Sequence, residues 1–264
     1  MFLPFVLSIL LSVHFDHSDW DKFLKKFVND KGEVNYQAAK TDPSLLDGYL
    51  EILKAIPIEQ FDDWPREERI AVLINAYNAG VIRSILKYYP TKTVMNIPGF
   101  WEQQQIQVGS LPKEKGGNGR PRSLNQVEGD LLTTFRDEKI IFALSKGAKG
   151  SPKLQREAYD GVHLDGQLYN VTRAFVNDSE KNPIDPVGKK VVLSRIFKWQ
   201  SGTFMFNWGD YPEERRWDPQ EMAVLSFFAH YLDDPQKVEF LKNGKYKVKF
   251  SIFDWDLNDW KTKS

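Results

Sequence analysis

Pro65 to Pro90, PREERIAVLINAYNAGVIRSILKYYP, decides how this chain folds. Pro65 suits the first turn of a helix, where its missing N–H costs nothing, and Glu67 and Glu68 follow where the helix dipole favours negative charge. From Ile70 to Ile85 the residues are apolar almost all round, which predicts a helix buried on most sides. Ile70, Leu73, Ile74, Tyr77, Val81 and Ile85 are its expected core positions. The pattern stops at Tyr88-Tyr89-Pro90, since proline cannot continue a helix. Asn75 and Asn78, at i and i+3, are polar residues in this otherwise apolar segment.

On the N-terminal side, Ser18 caps a helix to about Val28 with Trp20, Phe23, Leu24 and Phe27 at helical spacing. Glu33 to Tyr36 reads as extended, and Asp42-Pro43 opens a further helix. On the C-terminal side, Phe100 to Val108 reads as a strand, and the Gly-rich basic run Lys113 to Arg122 as an exposed insertion. Ser123-x-x-Gln126 is a capping box for a helix to Phe135. Ile140 to Leu144 reads as a buried strand, Ser151-Pro152 as a helix start, and Leu164 to Val176 as a helix. A strand over Val191 to Phe197, helices after Asp218-Pro219 and Asp234-Pro235, and a strand over Tyr246 to Phe253 complete the reading. Neither a repeat nor a composition shift divides the chain. The expected class is α+β, a single domain over residues 15–264 with several helices packed around a small sheet.

Composition narrows the function classes. Thirty-six basic and 36 acidic residues give a formal net charge of zero, against the basic excess of a nucleic-acid binder. Cysteine is absent, which removes disulfides, thiolate nucleophiles and Cys-ligated metals. The apolar run Phe2 to Val13 is too short to span a bilayer and has the length of a signal-peptide core. Residues 1–14 are therefore expected to be a signal peptide, cut near Ser12 to His14, and the protein to be periplasmic or secreted without stable membrane insertion. The alternative is a buried N-terminal helix.

Seven segments, in order, resemble the landmarks of the family catalogued as domain of unknown function 547. They are Gly32-Glu33-Val34-Asn35-Tyr36, Asn75-Ala76-Tyr77-Asn78-Ala79, Ser123-Leu124 with Glu128, and Phe142-Ala143-Leu144. Leu164-Asp165 with Gln167-Leu168, Leu193 to Trp199, and Asp254-Trp255-Asp256-Leu257-Asn258 follow. The resemblance spans about Trp20 to Asn258 and implies an established domain without a settled activity. The chain departs from many bacterial relatives, which carry a His before F-A-L and two cysteines after it; Ile141, Lys146 and Ser151 stand there instead. Chemistry resting on those cysteines cannot operate in this chain.

Three candidate sites follow. The loop Ser145 to Ser151, between an expected strand and an expected helix N-terminus, would aim backbone N–H groups, Lys146 and Lys149 at an anion. In the other reading, Ser151 is only an N-cap and the glycines serve the turn. Asn75 and Asn78 either floor a polar pocket or tie loops to the core. A Ser151-based triad would need His163 or His230, and no G-x-S-x-G elbow is present. Asp254-x-Asp256-x-Asn258 lacks the sixth-position glycine of a calcium loop, and His14-x-x-His17 with Asp16 borders the apolar leader, so no metal is assigned. Trp101, Trp199, Trp208 and Trp217 could serve sugar platforms but form no array in the sequence.

The expected function is an exported, non-catalytic module that binds a polar or small anionic ligand, or a protein partner, near the 145–151 loop. No cofactor and no nucleic acid are expected. The alternative is a hydrolase using Ser151 or a group the sequence does not disclose.

Overall fold

The structure, a computed structural model, describes residues 14–109, 121–209, 218–243 and 245–260. The apolar run Phe2–Val13, most of the basic 113–122 loop and Trp217 lie outside these residues.

The decisive helix, α5, spans Arg66–Tyr88 after α1 (Ser18–Phe27), α2 (Tyr36–Thr41), α3 (Ser44–Ala55) and α4 (Ile58–Asp62). Every residue from Ile70 to Leu86 except Arg83 is buried, so α5 is the central rod that its all-round apolar sequence predicts. Two asparagines on α5 fasten neighbouring loops. Asn75 accepts from Tyr159 N at 3.0 Å and donates to Tyr159 O at 2.7 Å. Asn78 donates to Ala143 O at 2.9 Å and accepts from Ser145 N at 2.9 Å. A buried amide thus satisfies loop peptide groups that no strand or helix would pair.

Beyond α5 come α6 (Leu124–Phe135), α7 (Leu164–Val176), α8 (Arg195–Trp199), α9 (Ser201–Trp208), α10 (Pro219–Tyr231) and α11 (Pro235–Asn243). Phe142, Phe175, Phe197, Phe204 and Phe227 interlock at centroid distances of 4.7–6.5 Å, an aromatic second half of the core. Three short strands, β1 (Ile184–Asp185), β2 (Lys190–Leu193) and β3 (Lys247–Phe250), form one sheet in that order. β1 is antiparallel and β3 parallel to β2. The α+β single-domain class is as expected.

Several elements differ from the sequence reading. Ile140–Leu144 is no strand: Glu138–Ala143 forms a 3₁₀ helix, started by the Asp137 side chain accepting from Lys139 N, while Asn78 takes the loop's peptide groups. No helix starts at Ser151-Pro152, because the Ser151 hydroxyl turns back to accept from Lys146 N at 3.0 Å. Phe100–Val108 contributes only a bridge between Ile106 and Arg122. The 191–197 strand stops at Leu193, since Ser194 caps α8. Tyr36 opens α2 where an extended residue was expected, with the Asn35 side chain accepting from Ala38 N.

The last described segment binds distant parts together. Asn258 accepts from the Tyr36 hydroxyl at 2.7 Å and donates to Gly32 O at 3.1 Å, while Val34 N donates to Asn258 O at 2.9 Å. Asp256 and Leu257 bridge to Thr93 and Ala148. The segment thereby carries Trp255 to the face where α6 and α8 meet.

Candidate functional site

That face holds a cleft of about 550 Å³, within the size range of small-molecule sites. The capping box is formed: Ser123 Oγ accepts from Gln126 N and Gln126 Oε1 from Ser123 N, which fixes the start of α6. Asn125, Glu128, Gly129, Leu132 and Thr133, at three- and four-residue spacing, then present one stripe of α6 to the cleft. Trp101, Lys146, Trp199, Gln200, Thr203 and Trp255 supply the rest of the wall.

At its base Glu128 Oε2 accepts from Lys146 Nζ at 2.6 Å and from the Tyr77 hydroxyl at 3.2 Å. Glu128 Oε1 accepts from Gln200 Nε2 at 2.9 Å. Burial, and then the neighbouring Glu128 carboxylate, push the Tyr77 hydroxyl well above the usual tyrosine range, so it stays a donor. Lys146 also lies 5.4 Å from the Trp101 ring centroid and 6.0 Å from that of Tyr77. The base is therefore a self-neutralised ion pair framed by rings and amides.

Three tryptophans rim the cleft. Trp255 lies 6.0 Å from Trp101 and 5.7 Å from Trp199 between centroids, and Phe253 backs both Trp199 (5.0 Å) and Trp255 (4.4 Å). Trp199 is 47% exposed, a large ring left in solvent beside a polar base. An aromatic array thus exists where the sequence displays none, because its members come from three separated segments. Of the other two tryptophans considered for it, Trp208 instead donates to Glu138 Oε1 at 2.6 Å, and Trp217 is outside the described residues.

The 145–151 loop is disposed differently from the expected anion cradle. Ser145, Lys146, Lys149, Gly150 and Ser151 all donate their backbone N–H groups within the protein. Gly147 has φ +70°, and a Cβ there would lie 2.5 Å from Ile85 Cδ1, so only glycine fits this turn. The turn sends Lys146 into the cleft. Lys149 goes elsewhere, to Asp256 Oδ2 at 3.3 Å, beside a second depression lined by Glu33, Lys92 and Asp259. Ser151 is 3% exposed. His163 is an exposed residue whose Nδ1 meets Asp160 at 2.9 Å, and His230 packs 5.1 Å from the Trp208 ring. Of the five candidate site residues, then, only Lys146 lines the cleft; Ser151, Asn75 and Asn78 hold backbone in place. Asn125 and Gln200 carry no motif that singles them out, and Trp255, although it lies in the Asp254 to Asn258 segment, is not marked there as a site residue.

Residues 61–176 match the model of a family described as "Protein of unknown function, DUF547". Over that segment the resemblance read from the motifs holds, and it includes Tyr77, Trp101, Glu128 and Lys146, though not Trp199 or Trp255. No curated protein and no solved structure matches the chain.

Proposed function

We propose that this protein is an exported, non-catalytic module that binds a polar, uncharged ring compound of the saccharide class in the tryptophan cleft. The observation that carries the reading is the convergence of Trp101, Trp199 and Trp255 over a Glu128–Lys146 pair that cancels its own charge. The C–H face of a sugar ring packs on the electron-rich face of an indole and buries apolar area there. Its hydroxyls would meet Asn125, Thr133, Gln200 and Thr203 at the wall. An anionic ligand is less well served, because Lys146 is already matched by Glu128. Export is supported by the signal-like length of Phe2–Val13; N-terminal sequencing of the native protein should begin after about Ser12, and an intact Met1 would end that part of the reading.

Calorimetric titration of the wild type and of Trp199→Ala with a panel of neutral oligosaccharides tests the binding claim. The expected result is saturable binding of at least one saccharide, weakened about fivefold in the variant, the ratio equivalent to ~1 kcal/mol. Binding unchanged by Trp199→Ala, or no binding across the panel, would overturn it.

A further inference from the structure

We propose a second ligand site, independent of the tryptophan cleft: a lysine-lined groove across β2 and β3 that takes a small molecule bearing several phosphate groups. Lys189, Lys190, Lys245, Lys247 and Lys249 line a groove of about 700 Å³ together with Val191, Val192 and Tyr246, none of them shared with the cleft. All five lysines are exposed. None makes an ion pair or side-chain hydrogen bond with the described residues, in a chain whose formal net charge is zero.

The strand register concentrates this charge. Lys190 stands directly beside Lys247, and Val192 beside Lys249, in the parallel β2–β3 pair. Register partners put their side chains on the same face, so Lys190, Lys247 and Lys249 project together, about 5 Å apart across strands and about 7 Å along β3. Val191 and Leu193 fill the opposite, buried face. Like charges directly opposite each other on a sheet are destabilising, and among the described residues no carboxylate forms an ion pair with these lysines. Asp185 stands in register with Lys190 on the same face, a single carboxylate against the five lysines, and its Oδ1 accepts from Gly188 N at 2.8 Å.

The turn that delivers the groove's edge carries a second cost. In the β1–β2 turn the left-handed conformation falls on Lys189, at φ +53°, rather than on its neighbour Gly188. A glycine would take that conformation without strain, whereas a lysine takes it at a penalty. The fold therefore bears both backbone strain and charge repulsion on the same lysine-rich edge. A bound polyanion offsets the repulsion and gives Lys189 a use.

Lysine ammoniums recognise phosphate as point charges, and several phosphates are needed to match five of them. The groove has the volume of a small-molecule site. Tyr246 is the single ring among the lining residues, with its hydroxyl donating to Leu241 O at 2.6 Å and its ring packed 5.0 Å from Phe240, so successive nucleobases would find no run of stacking platforms.

The test is titration calorimetry of the full chain with inositol hexakisphosphate at ~0.15 M salt, where isolated surface charges are largely screened. Inorganic phosphate, vesicles containing a phosphatidylinositol bisphosphate and a single-stranded DNA oligomer are run beside it. Saturable hexakisphosphate binding, much tighter than inorganic phosphate and about tenfold or more weaker in Lys247→Ala/Lys249→Ala, is expected. That variant should fold normally, since both lysines are exposed and their side chains form no ion pair or hydrogen bond among the described residues; unchanged thermal unfolding verifies it. Lys189→Gly should raise Tm while weakening the hexakisphosphate, a pairing that a merely structural turn would not give. Binding only to the vesicles, lost in the double variant, supports the same chemistry with a lipid headgroup as its source. No binding of either probe, binding unchanged in the double variant, or tighter binding of the DNA lost in that variant would overturn the proposal.

Discussion

Glu128 Oε2 accepts from Lys146 Nζ at 2.6 Å, with the two side chains only 13% and 14% exposed, and this pair holds the base of the cleft together. It joins α6 to the loop that Gly147 turns, so its loss reaches two elements at once. Lys146→Met keeps the packing stem but leaves Glu128 with only Tyr77 and Gln200 as partners. The expected loss is about 1–3 kcal/mol in urea unfolding, because a largely buried carboxylate is left without its cation. Adding Glu128→Gln should recover most of it. A single-variant change below about 0.5 kcal/mol would mean that the pair is a solvated surface contact.

The central rod gives a second expectation. Leu73 on α5 is 4% exposed, and Leu73→Ala should cost about 2–5 kcal/mol through lost transfer energy and the cavity left behind. Chemical denaturation measures this directly, and a cost well under 1 kcal/mol would place α5 at the periphery.

His17 makes stability depend on pH. It is buried, with Nδ1 2.8 Å from the Tyr49 hydroxyl and 3.2 Å from Asn75 Nδ2, and burial lowers its pKa from 6.5 to about 4. Nearby Asp160 and Asp16 oppose the shift without cancelling it. Between those values the unfolded chain binds the proton and the folded one does not. Stability is then fully present above about pH 6.5 and declines as pH falls toward 4, by about 3 kcal/mol for this group. Replacing His17 with a residue that does not titrate, His17→Gln, should flatten the slope over pH 4–6.5 relative to the wild type. An equally steep slope in both would assign the pH dependence to other groups.

The rod was legible because thirteen of the sixteen positions from Ile70 to Ile85 are apolar or small, which admits one reading, and proline brackets them. The capping box at Ser123 and Gln126 was legible for the same local reason. Ile140–Leu144 was not, since a short apolar run fits a strand or a buried turn of helix equally well until its peptide partners are known. Those partners turned out to be the Asn78 side chain, a tertiary contact. Lys146 could be singled out from its loop. The array that surrounds it could not, because Trp101, Trp199 and Trp255 meet only when the C-terminal segment docks through Asn258 against Tyr36 and Gly32. Ser151 likewise has the sequence of a helix cap, yet caps its own loop once Lys149 and Gly150 are tied to Asp256 and Asp254.

The cleft as a saccharide site is tested most directly by ¹⁹F NMR on protein labelled with 5-fluorotryptophan, with resonances assigned by single Trp→Phe variants. Titration with an oligosaccharide that binds should move the signals of Trp101, Trp199 and Trp255, while those of Trp20 and Trp64, buried in the α1–α4 half, stay in place. Saturable shifts confined to the three cleft tryptophans are the predicted result. Saccharide binding that leaves those three unmoved, or no saccharide-induced shift at all, would contradict it.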